Sequence, residues 1–127
     1  MSFTFEAMEN LPALSVRPPW SWLIVNRFKP IENRNWYTVV RGAIYIHAGK
    51  KFDHEGYVWV QRQFPHIVMP APHEFQLGGI VGRARLVNCV EDHDSPWFFG
   101  RYGFVLTDAE PLPFRACRGQ LGFFRPV

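Results

Sequence analysis

Arg27-Phe28-Lys29-Pro30-Ile31-Glu32-Asn33-Arg34-Asn35-Trp36 is the stretch where the periodicity of the chain changes, and that change decides the fold class. Just upstream, Trp20-Ser21-Trp22-Leu23-Ile24-Val25 is a compact apolar segment behind Pro18-Pro19. Proline is tolerated in the first turn of a helix, so a short helix is expected there. It fades by Asn26-Arg27, because Pro30 cannot continue a helix and biases the residue before it toward an extended backbone. From Ile31 the pattern has period two, with Ile31, Asn33 and Asn35 alternating with Glu32, Arg34 and Trp36. On an extended chain Glu32, Arg34 and Trp36 share one face, and Lys29 lies in the turn before them.

Working outward, Leu14-Ser15-Val16 is a short strand candidate before the first helix. Arg41-Gly42 marks a turn, and residues 43–48 alternate cleanly, with Ile44 and Ile46 on one face and Tyr45 and His47 on the other. Asp53 is a natural N-cap for a second helix reaching about Phe64, where Pro65 closes it. Residues 65–76, with three prolines and two histidines, read as an irregular loop. A long strand follows over 79–90, with Ile80, Gly82, Ala84 and Leu86 opposite Val81, Arg83, Arg85 and Val87. Strands over 102–106 and 120–124 complete a set of about five or six.

The two main helices interrupt the strand series without alternating regularly with it. That pattern argues against a doubly wound parallel sheet and for an α+β fold built on a small mixed or closed sheet. A chain of 127 residues fits one domain, expected over 14–127 behind a leader over 1–13. Apolar residues make up 47% of the chain, which is a globular composition.

No apolar run approaches the roughly 20 residues that cross a bilayer, and the N-terminal residues lack the basic-then-apolar pattern of a secretory signal. No membrane association is expected. Cys89 and Cys117 have no CxxC spacing, so free thiols in a reducing, cytoplasmic setting are expected. The net charge of +3 and pI near 9.1 lean toward anionic partners without deciding the matter. Asp92-His93-Asp94, His66 and His73 lack zinc-type spacing, and there is no glycine-rich phosphate loop, so neither a metal nor a cofactor is expected.

A carboxylate, a guanidinium and an indole on one strand face, with an ammonium beside them, make an unusual lining for a core. The plain alternative is a solvated face on which Glu32 and Arg34 neutralise each other, worth only about 0–1 kcal/mol. Arg83 and Arg85 form a small basic stripe that fits either a solvated face or an RNA track. Trp97-Phe98-Phe99 and Tyr102 concentrate aromatic rings on which single-stranded bases can stack. Trp36 and Trp97 are the stronger stacking candidates, while Phe99 and Phe104 are expected in the core.

The ordered blocks Leu14-Ser15-Val16-Arg17-Pro18-Pro19-Trp20, Lys29-Pro30-Ile31-Glu32-Asn33-Arg34, Arg41-Gly42 and Ile46-His47-Ala48-Gly49-Lys50 together resemble the ASCH family. Gly79-Ile80-Val81-Gly82 and Arg118-Gly119-Gln120-Leu121-Gly122-Phe123 resemble its later strands. The resemblance implies a PUA-like β-barrel with a cleft between the barrel and the first helix, suited to RNA or nucleotides. The family's cleft motif, G-x-K-x-x-[ED]-x-R, carries over to Lys29, Glu32 and Arg34. Its glycine falls on Arg27, which suggests a different turn geometry or an extra cationic contact.

The resemblance also brings Arg17, at the entrance of the first helix, and His47 toward the cleft. Arg17 could meet a phosphate or simply cover Trp20, and His47 could equally be a hydrogen-bonded structural residue. Some relatives deacetylate N4-acetylcytidine with a threonine where this chain has Glu32. A carboxylate cannot replace that hydroxyl nucleophile, although Glu32 could act as a general base with Lys29 or Arg34 holding an oxyanion. Three functions are therefore left open. The first is a module binding single-stranded RNA or a modified nucleoside. The second is a hydrolase of such a nucleoside or of RNA, with Lys29 and Glu32 catalytic. The third is a protein-interaction domain, in which Lys29 and Glu32 would be pinned together with no cavity alongside.

Overall fold

Six strands form one mixed sheet in the order β2-β5-β4-β3-β1-β6. The computed structural model describes residues 10–126, so residues 1–9 of the expected leader lie outside the described residues. The strands are β1 (Ala13–Val16), β2 (Ile31–Arg34), β3 (Gly42–Ala48), β4 (Gly79–Val90), β5 (Tyr102–Ala116) and β6 (Phe123–Phe124). Helix α1 spans Trp20–Val25, α2 spans His54–Gln63, and a single 3-10 turn covers Pro72–Glu74 inside the loop after α2. Among the described residues only the β1–β3 pair is parallel; the remaining pairs are antiparallel.

The alternation of β4 sets the core. Ile80, Gly82, Ala84 and Leu86 are buried, whereas Arg85 and Val87 are exposed. Leu14, Ile44, Ile46, Leu86 and Phe104 form the barrel interior, with Ile24 and Val25 of α1 packed against it. Leu23 faces the other way, into a second cluster with Ile31, Val60, Ile67 and Trp97. Helix α1 is thus held between the barrel and α2. Full burial of Leu23, Ile24 and Val25 stabilises this arrangement by about 1.5–3 kcal/mol each.

Two elements differ from expectation. Strand β5 runs to Ala116, far past the expected end at 106. Pro111 and Pro113 and the left-handed Asp108 (φ 53°) disguise it in the sequence. They are accommodated because β2 pairs only with residues 102–105, and the ladder to β4 shifts register between Ile80/Arg115 and Gly82/Pro111, so the prolines sit on a half-open strand at an irregularity of the ladder. Strand β6 is shorter than expected, since Gly122 at φ 66° still belongs to the preceding loop.

No backbone ladder joins β2, at one end of the sheet, to β1 and β6 at the other. Side chains bridge the seam. Arg34 Nη2 donates to the Ser15 carbonyl at 2.9 Å, and Trp36 packs edge-on against Phe104 and Phe123 with centroids 5.2 and 6.0 Å apart. The cavity that Arg34 helps to line opens at this seam.

Candidate functional site

Glu32 is the centre of a buried ionic triad. Lys29 Nζ donates to Glu32 Oε1 at 3.0 Å and also to the Ile31 carbonyl. Arg34 reaches Glu32 Oε2 through Nε at 3.2 Å and Nη2 at 3.0 Å. Burial pushes the Glu32 carboxyl up, but the charges and hydrogen bonds of Lys29 and Arg34 outweigh it and hold it below the ordinary carboxylate value. Lys29 is only 3% exposed, and its ammonium also lies 5.7 Å from the centre of the Trp20 ring. The period-two reading of β2 therefore held for the charged pair, and the residues are locked together, not loosely solvated.

Helix α2 builds the facing wall. Asp53 caps it, accepting from the Gly56 N–H at 2.8 Å through one oxygen and from Trp20 Nε1 at 2.9 Å through the other. Burial raises the Asp53 carboxyl, but these two donors and the charges of Arg17 and His54 bring it below its ordinary value. A Cβ on Gly56 would stand 2.4 Å from the Trp20 ring, so only glycine lets α2 approach this closely. Trp59 of α2 then meets Trp20, Trp97 and Phe99 at centroid distances of 6.2, 6.1 and 5.5 Å.

Asn33, on the other face of β2, fixes the third wall. Its Nδ2 donates to the Trp97 carbonyl at 2.9 Å and its Oδ1 accepts from the Phe99 N–H at 3.0 Å. Together these elements enclose an open cavity of about 680 Å3 floored by the triad. Its lining carries three cations (Arg17, Lys29, Arg34) and three carboxylates (Glu32, Asp53, Glu55), so its charge balances.

The expected site residues divide accordingly. Lys29, Glu32, Arg34, Arg17 and Trp97 line the cavity, with Arg17 exposed at its rim. Trp97 is 5% exposed and stacked on Phe64 at 4.1 Å, which makes it a fixed wall. Trp36 and Tyr102 do not line it. Trp36 belongs to the aromatic seam of the barrel, and Tyr102 meets Tyr37 edge-on at 5.9 Å. Phe99, expected in the core, stands 54% exposed at the cavity rim, whereas Phe104 is fully buried as expected.

His47 is buried, with Nε2 2.8 Å from the Cys117 carbonyl and Nδ1 3.0 Å from the Ser15 hydroxyl. A carbonyl can only accept, so in the neutral ring Nε2 donates and Nδ1 accepts from Ser15. Arg83 and Arg85 pair with Glu110 and Asp108 at 3.0 and 3.9 Å, on a solvated strand face.

Arg27 adopts φ 67°, the left-handed conformation that glycine favours. Its Nε donates to the Ala109 carbonyl at 2.6 Å, so the extra contact is structural.

Asp53, Trp20, Trp59 and Asn33 line the cavity without a sequence pattern that marks them as site residues. Only Asp53 left a signal, and it was the signal of a helix cap. Both cysteines are free, and among the described residues no cluster of His, Cys, Asp or Glu could hold a metal ion. Among the described residues no helix is long and apolar enough to cross a membrane.

A model of the ASCH domain matches residues 14–110, most of the chain. The chain belongs to the ASCH domain family. Its six-stranded mixed sheet and two main helices make an α+β fold. Among curated proteins it is similar to Activating signal cointegrator 1 of Homo sapiens, at 28% identity over 68% of this chain, and of Mus musculus, at 30% over 61%. It spans 18% and 14% of those proteins, respectively. A solved structure of a ZmASCH mutant protein from Zymomonas mobilis aligns with a TM-score of 0.49 and 18% identity, over 85% of this chain and 76% of the other.

Proposed function

We propose that this ASCH domain is a binding module whose cavity holds one base of single-stranded RNA, or a modified nucleoside, against its tryptophan walls. The observation that carries this reading is the combination of an aromatic-walled cavity of about 680 Å3 with a charge-balanced lining. Aromatic rings held rigid by their neighbours supply a stacking surface worth about 1–3 kcal/mol per base. Fixed donors and acceptors on the floor supply hydrogen bonds to base edges, and a balanced lining suits a neutral base better than a phosphate. RNA or nucleoside binding is also the role expected of an ASCH cleft.

A catalytic role for Glu32 and Lys29 receives less support. An effective general base has a pKa near the working pH and a free oxygen to take the proton. Glu32 has neither: its pKa is lowered, and both oxygens already accept from cations. A ligand-free protein-interaction domain fits less well too, since an open cavity adjoins the pinned Lys29–Glu32 pair.

Tryptophan fluorescence titration with cytidine, N4-acetylcytidine and a five-nucleotide single-stranded RNA tests the reading. Saturable quenching is expected, with N4-acetylcytidine recovered intact after long incubation. The absence of any saturable change, for nucleosides and RNA alike, would overturn it.

A further inference from the structure

A second depression, about 510 Å3 in volume, lies on the other side of Arg34 and shares Ser15 and Arg34 with the tryptophan cavity. Its charged lining is Arg34, Lys50 and Arg118, with no carboxylate. The contrast with the neighbouring cavity, where three carboxylates offset three cations, is complete.

The loop Arg118-Gly119-Gln120-Leu121-Gly122 forms one bank. Among the described residues no backbone carbonyl accepts from the N–H groups of Arg118 to Gly122. The loop is nonetheless held in place. His47 Nε2 donates to the Cys117 carbonyl just before it, and a Cβ on Gly119 would stand 2.8 Å from the His47 ring and 3.2 Å from Ser15 Oγ. Lys50 is positioned as well, its stem lying against Gly78, where a Cβ would meet Lys50 Cε at 3.3 Å.

Arg34 spans the two depressions. Its Nε and Nη2 protons are used on Glu32 and the Ser15 carbonyl, while among the described residues Nη1 donates to nothing. An anion arriving from the groove side would meet the free Nη1 of Arg34, the Lys50 ammonium and the Arg118 guanidinium, beside a loop whose backbone N–H groups have no backbone acceptor among the described residues. Charge-assisted donors of this kind are the groups that hold phosphate.

From this we infer that the groove is the phosphate subsite of the cavity, so that the ligand is an oligonucleotide with its base among the tryptophans and an adjacent phosphodiester over Arg34, Lys50 and Arg118. The inference rests on the base-binding reading above and narrows it from nucleoside to strand. The division of labour is physical. The neutral cavity selects by shape and stacking, and the cationic groove attracts the backbone over a Debye length of about 10 Å at 0.1 M salt.

The test compares wild type with Lys50→Ala/Arg118→Ala, both exposed positions, using cytidine and a five-nucleotide single-stranded RNA between 50 and 200 mM salt. Wild type is expected to prefer the RNA. The double variant should bind the RNA about tenfold more weakly at low salt, and its log–log salt slope should fall by about 1.4, or roughly 0.7 per lost phosphate contact on a single strand. Its cytidine affinity and thermal midpoint should be unchanged. Equal affinities for cytidine and RNA, or an unaltered salt slope in the double variant, would overturn the strand inference while leaving the base cavity standing. If wild type bound neither cytidine nor RNA, both would fall.

Discussion

The tryptophan cavity and the glycine-rich groove lie side by side, share Ser15 and Arg34, and solve opposite problems. In the cavity the two inner carboxylates each meet fixed donors: Glu32 has Lys29 and Arg34, and Asp53 has Trp20 and the Gly56 N–H. In the groove no carboxylate lines the wall, and Lys50 and Arg118 stand beside the outer side of Arg34. The first arrangement stiffens a surface against which a flat, neutral group can rest. The second leaves potential to spare for a charged one. Buried ion pairs do not on balance add stability over a well-packed apolar core, but removing one partner is severe, because the other charge stays buried. Arg34, at the boundary, is the one charged residue among the described residues that lines both.

The sharpest way to break the contrast is to unbalance the cavity. Glu32→Gln leaves Lys29 and Arg34 without their counter-charge and should cost about 3 kcal/mol or more of stability, read from urea unfolding. The same group sets a pH dependence. Because its folded carboxyl lies below the ordinary value, its contribution is fully present above the unfolded pKa and is lost as pH falls through the folded one. Wild type should therefore lose stability progressively below about pH 4.5, with Asp53 adding in the same direction, and Glu32→Gln should show a shallower acid slope. An unchanged acid slope would mean that the triad is not what couples proton uptake to unfolding.

The next effect separates binding from folding. Phe99 is half exposed on the cavity rim, so Phe99→Ala should leave the thermal midpoint nearly unmoved. If the ring contacts a base, the same change should weaken RNA by about 1–3 kcal/mol, and this loss should not depend on salt. The opposite behaviour is expected of the groove variants, whose loss should fade as salt rises. A salt-dependent Phe99→Ala effect would erase the distinction between the two regions.

What the sequence revealed follows from how local each signal is. The alternation over β4, the Asp53 cap and the helix-to-strand switch at Pro30 are written in neighbouring residues, and all three appear in the structure. The triad was half legible. Period two placed Glu32 and Arg34 together, but their burial depends on α2, which arrives about twenty residues later. Trp59 and Asn33 left no signal, since an indole on a short helix and an amide on a strand become site walls only through tertiary contact. Trp36 misled for the opposite reason. It shares the strand's alternation, yet beyond Arg34 the chain has left β2 and turned its indole into the barrel seam.

Arg27 supplies the smallest prediction. A non-glycine residue at φ 67° costs roughly 1–2 kcal/mol, and Arg27 offsets part of that with its bond to the Ala109 carbonyl. Arg27→Gly should change stability by less than about 1 kcal/mol and leave RNA affinity and salt slope untouched, because the side chain points away from both depressions at the seam. A marked loss of RNA binding would instead give Arg27 a share in the cationic groove.

The five tryptophans provide the most direct measurement, because each indole N–H gives its own signal in a proton–nitrogen correlation spectrum. Trp20, Trp59 and Trp97 line the cavity, whereas Trp22 and Trp36 do not. On titration with single-stranded RNA, the indole signals of Trp20, Trp59 and Trp97 should move and saturate together, while those of Trp22 and Trp36 hold still. Movement confined to Trp22 or Trp36, or saturable RNA binding that moves none of the three cavity indoles, would contradict a base seated in the cavity.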